Sequence, residues 1–84
     1  MSKEAITEYT AMRQAIQSNI EAIRSLIQQA DQLTATIGQV EDSDVKNKLA
    51  TQADSLNQSI NNLVDQTDKL FKQYIELANS VVIV

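Results

Sequence analysis

Glu4 with Glu8, and Asp65 with Asp68, are the residue pairs whose spacing brings two carboxylates onto one turn of a helix. Paired carboxylates can serve acid–base catalysis or, within inward-facing Glu-x-x-His repeats, a di-metal centre. The chain has no His and no Cys. It therefore lacks the commonest metal ligand, the commonest base near neutral pH and any thiol for a nucleophile or a zinc site. No acid falls at an inward-facing helical position. Arg13 interrupts an apolar stripe and could meet a partner's carboxylate, but a basic side chain there more often reaches the helix edge or pairs within its chain, here with Asp68. Tyr9 and Tyr74 read as one core layer, and Thr34 and Thr67 as polar core positions that tune register. The expectation is a non-enzyme with no cofactor, no metal and no small-molecule substrate.

The elements that carry these residues are helices. With 84 residues, the chain makes one small domain, marginal in buried area unless its packing is regular or it associates. One Gly, no Pro and 4% aromatic residues suit neither the turns nor the faces of a sheet. A net charge of −4 with interleaved signs argues against nucleic acid as a partner. Gln28-Gln29, Asn61-Asn62 and the Ser55–Ser59 stretch place uncharged polar groups where soluble coiled coils carry Glu and Lys. Such faces suit tight lateral stacking, because no ions need be desolvated.

The opening Met-Ser-Lys-Glu has no basic and apolar leader, and no apolar run approaches the roughly 20 residues of a membrane span. The expectation is cytoplasmic synthesis, followed by incorporation into a virion or export by a signal-independent route.

Leu49, Leu56, Leu63, Leu70 and Leu77 recur every seven residues, which predicts a helix with one apolar seam. Ala53, Ile60, Thr67 and Tyr74 take the alternating seam position a, with Leu at d, and Val64, Phe71 and Ala78 add a stripe at e. In the first half, Ile6, Ile20 and Ile27 take a, and Tyr9, Ile16, Ile23, Ala30 and Ile37 take d. Ala5, Met12, Leu26, Leu33 and Val40 form a third stripe at g. Gly38 reads as a left-handed helix terminator, and Asp42 or Ser43 as the cap of a second helix. The predicted fold is all-α: one antiparallel two-helix coiled-coil hairpin over 1–84, with helices over about 2–37 and 44–79, a turn at 38–43 and an apolar tail at 80–84.

Folded at its turn, the hairpin sets Tyr9 level with Tyr74, and Ile20 with Leu63. Opposite charges then meet: Lys3 with Glu76, Glu8 with Lys72, Arg13 with Asp68, Asp31 with Lys48. The predicted core is Ile16, Ile20, Ile23, Ile27, Leu49, Leu56, Ile60, Leu63, Leu70 and Leu77. The apolar flanks fall on opposite edges, with Met12, Leu26 and Leu33 on one and Val64 and Phe71 on the other. These five, with the tail Val81, Val82, Ile83 and Val84, are the candidate partner-binding residues. The tail either extends the second helix by a turn or, after Asn79-Ser80, leaves as a strand for a partner's sheet.

A leucine zipper invites a DNA-binding reading, which the missing basic region excludes: Asp31, Glu41, Asp42 and Asp44 outnumber Lys46 and Lys48 there. Length and the central Gly resemble the small helical-hairpin substrates of specialised bacterial secretion. Thr36 stands where that family's turn has Trp, and Ala78 where its C-terminal motif has an acid. Secretion-needle subunits are similar hairpins that turn through prolines, which are absent here. The expected role is a structural or assembly subunit of a virion or secretion apparatus, packing helix on helix with itself or with a protein partner and assembling into a larger bundle or oligomer. The alternative is a small adaptor, chaperone or inhibitor that binds a partner protein through its apolar edges.

Overall fold

A computed structural model describes residues 3–83 of the chain, and the side-chain environment of residues 3–80. It contains two helices, α1 (Lys3–Gln39) and α2 (Ser43–Ile83). They fold back on one another as a rod of 63 × 14 × 13 Å. Its radius of gyration, 18.8 Å, far exceeds the ~12 Å of a compact chain this long. The fold is a helical hairpin.

The connector shows why the helices break where they do. Asp42 caps α2: its Oδ1 accepts hydrogen bonds from the backbone N–H of Asp44 at 2.9 Å and Val45 at 3.2 Å. Its carbonyl accepts from Lys46 N–H at 3.0 Å, opening the helical ladder. Such a cap is worth about 1 kcal/mol. At the end of α1, the Val40 N–H donates to the Ile37 carbonyl at 3.3 Å, closing a tight last turn.

Gly38 corrects an expectation. It lies inside α1, and neither it nor any other described residue adopts a left-handed backbone. A Cβ built there meets nothing within 4 Å. Gly38→Ala is therefore expected to stabilise the hairpin by up to about 1 kcal/mol, raising Tm by roughly 4–8 °C in a thermal melt. A left-handed terminator would respond with the opposite sign.

The C-terminal end differs too. Asn79-Ser80 does not stop α2, whose helical backbone continues through Ile83. The Ser80 hydroxyl donates to the Glu76 carbonyl one turn back, at 3.0 Å, so its polar group is satisfied within the helix. Thr7, Thr34, Thr36, Thr51 and Thr67 use the same device, with O···O distances of 2.7–3.0 Å. The strand alternative for the tail is thus overturned through Ile83. The side chains of Val81, Val82 and Ile83, and all of Val84, lie outside the described residues.

The register is fixed by Tyr9 and Tyr74, whose rings meet with centroids 4.5 Å apart at 57°. From that level, Ile16 lies opposite Thr67, and these two are the buried residues of the described chain, at 6% and 7% exposure. A bulky side chain faces a small one, and the Thr67 hydroxyl is satisfied by the Leu63 carbonyl at 2.7 Å. The cross-helix ion pairs do not form. Lys72 Nζ instead meets Asp68 Oδ2 on its own helix at 3.1 Å, with both side chains exposed, and among the described residues no pair bridges α1 and α2. The register rests on packing.

Candidate functional site

The seam of α2 uses Leu49, Leu56, Leu63, Leu70 and Leu77 with Ala53, Ile60, Thr67 and Tyr74, all buried or half-buried. The seam of α1 is different from the one its Ile spacing predicts. Its buried and half-buried residues include Ala5, Tyr9, Met12, Ile16, Asn19, Ile23, Leu26, Ala30, Leu33, Ile37 and Val40, alternating four and three apart. Ile20 and Ile27, expected in the core, are exposed, as is Ile6. Met12, Leu26 and Leu33, expected on a free edge, line the seam instead. Relative to the expected face, α1 is turned by about 60° about its axis.

The cause lies in what each stripe would bury. The Ile6–Ile20–Ile27 stripe also carries Arg13 and Thr34, so placing it inward would take a guanidinium out of water. The Met12–Leu26–Leu33 stripe carries one polar interruption, Asn19, which is half-buried. A half-buried amide is much the smaller cost. The rotation puts Arg13 outside.

This rotation moves the free apolar surface. In the observed seam, Ile6, Ile20 and Ile27 occupy e of α1, while Val64 and Phe71 occupy e of α2 with Ile75 beside them at b. In an antiparallel pair e flanks e, so all six fall on one edge. Their exposures run from 40% at Ile20 to 53% at Ile75. Val45, at 42%, is the remaining large apolar residue exposed. The opposite edge carries Val45 near the turn and the small Ala15 and Ala22, and is otherwise polar, with Gln29, Gln52 and Ser59 bordering a shallow cleft over Leu33 and Leu56. That grouping of g positions fixes which flank faces which. Of the expected partner-binding residues, the structure places Val64 and Phe71 on the apolar edge. Ile6, Ile20, Ile27 and Ile75 were missed there, although Arg13 within the Ile stripe was the available signal.

At the open end of the rod, a hydrogen bond to Tyr74 holds the Tyr9 phenol above its ordinary pKa of 10.0, helped by desolvation, while Arg13 opposes it. A phenol whose pKa is raised on folding contributes stability that is present below about pH 10 and lost as pH climbs through the folded value. Tyr9→Phe is expected to flatten the fall of Tm on the alkaline side of pH 10, as followed by circular dichroism.

Glu4, Glu8, Asp65 and Asp68 are all exposed. Among the described residues, no group of three or more His, Cys, Asp or Glu is placed to hold a metal, and no helix is long and apolar enough to cross a membrane. Comparison with protein-family models, curated proteins and solved structures returns no match.

Proposed function

We propose that this chain is a non-enzymatic assembly subunit, of the kind that builds virions or secretion machinery, acting by helix-on-helix packing along one edge. The observation that carries this reading is the collection of Ile6, Ile20, Ile27, Val64, Phe71 and Ile75 on a single flank. Each large side chain covered there is worth roughly 1.5–3 kcal/mol if fully buried, so a partner gains much by closing over the strip. Sedimentation of the purified chain, alone and with the products of neighbouring genes, tests it. A mass above the 9.3 kDa of one chain is expected. A monomer unchanged by every candidate overturns the reading.

The one-sided placement also supports a second reading, a small adaptor, chaperone or inhibitor that covers a helix of another protein. A single edge saturates with one partner, which predicts a 1:1 or 2:2 complex. An open-ended homopolymer would exclude it.

A further inference from the structure

We infer that the occupant of the apolar edge is a second copy of this chain, related by a two-fold axis parallel to the rod and closing a four-helix dimer. The inference rests on the assembly reading and names its partner. Three observations carry it: the excess of surface, the width of the apolar face and the match of levels across the proposed axis.

The hairpin exposes 6457 Å². A compact protein of this mass exposes about 5,000 Å². On α1 the apolar strip runs about 32 Å from Ile6 to Ile27 and on α2 about 17 Å from Val64 to Ile75, so helices about 10 Å wide give it a footprint of roughly 490 Å². That is about 60% of the ~800 Å² each partner contributes to a standard interface, with the polar residues flanking the strip supplying the rest. The face is also too wide for a pair. Two-stranded coiled coils need apolar residues at a and d alone, whereas a, d and e together make the face of a helix inside a bundle. Here both helices carry that third stripe.

The proposed axis lays α1 of one copy over α2 of the other at the same level, so every neighbouring pair of helices is antiparallel. Ile6 then meets Ile75 of the second copy, Ile20 meets its Val64, and Ile27 lies over its Asn57. Arg13 meets its Asp68, with the ring of Phe71 alongside. Each of these contacts occurs twice. An axis across the rod would instead lay α1 over α1, setting Arg13 against Ile20 and Val64 beside Asp68. It leaves the charges unmatched. Because the surface is self-complementary about the first axis, association closes at two copies.

Sedimentation equilibrium of the full chain is expected to give twice 9.3 kDa, with no growth as concentration rises. Arg13→Asp or Asp68→Arg alone is expected to raise the dissociation constant at least ~10-fold, and the double reversal to return it to within about 3-fold of the parent. Circular dichroism checks that helicity is kept. Independently of the charges, chains carrying Ile20→Cys mixed with chains carrying Val64→Cys are expected to cross-link to each other in preference to themselves. An excess of cross-links between two chains that both carry Ile20→Cys, an open polymer or a monomer each overturn the dimer. Among these, only a monomer that also ignores every candidate partner overturns the assembly reading with it.

Discussion

Leu63→Asp is expected to unfold the hairpin, while Ile20→Asp leaves its helicity intact. Leu63 sits in the seam one turn from the Ile16–Thr67 layer, and its side chain is half-buried against α1. The substitution removes roughly 1.5–3 kcal/mol of apolar burial. It also strands a carboxylate where no cation is level with it, at a further cost of several kcal/mol. The whole chain has only about 4–13 kcal/mol of stability by the usual allowance per residue, and its thin seam puts it toward the lower end. Most of the helical circular dichroism signal is therefore expected to vanish at 25 °C. Acid should restore part of it. An Asp held in an apolar seam has a folded pKa above its unfolded value near 3.9, so stability rises as pH falls and the carboxyl is neutralised.

Ile20 supplies the contrast, because its spacing alone predicts the same fate. It is 40% exposed on the flank, where a carboxylate stays hydrated. The expected loss is within about 1 kcal/mol of hairpin stability, with the effect falling on association instead. If Ile20→Asp proved as destructive as Leu63→Asp, the seam would follow the Ile stripe and the rotation of α1 would be wrong.

The difference between the two helices explains how much the sequence discloses. In α2, one Leu stripe is unbroken and its alternates are small or aromatic, so a single seam is possible and the structure uses it. In α1, three apolar stripes lie side by side, and two adjacent pairs of them fit a seam equally well by spacing. Chain length, the capping Asp42 and the level of Tyr9 with Tyr74 were all legible, because each depends on local chemistry or on a symmetric fold about the turn. The choice between stripes was not, because it depends on comparing a guanidinium at Arg13 with an amide at Asn19. Periodicity is blind to that comparison. Once it is made, the Ile stripe of α1 and the Val64–Phe71 stripe of α2 fall on one edge instead of two.

Ile16→Ala is expected to cost about 2–3 kcal/mol. Ile16 is the most deeply covered apolar side chain of the described residues, and it faces Thr67 across the seam. Truncation to Ala leaves two short side chains opposite one another, with Met12 and Leu70 in the next seam layer on one side and Asn19 and Leu63 on the other. Large-to-small changes in deep cores range from about 2 to 5 kcal/mol, the larger values belonging to rigid cavities that cannot collapse. A seam between two helices is open along both edges, so the helices can close in and water can enter, which holds the cost to the lower part of that range. Urea unfolding should show the midpoint falling with the slope unchanged. Thr67→Val separates packing from polarity at the same layer. It removes a hydroxyl whose bond to the Leu63 carbonyl is local to α2, leaves no donor stranded and keeps the side chain's shape. It is expected to be neutral or stabilising by up to about 1 kcal/mol. A loss as large as that of Ile16→Ala would mean that the hydroxyl, rather than the fit of a large residue over a small one, holds this layer together.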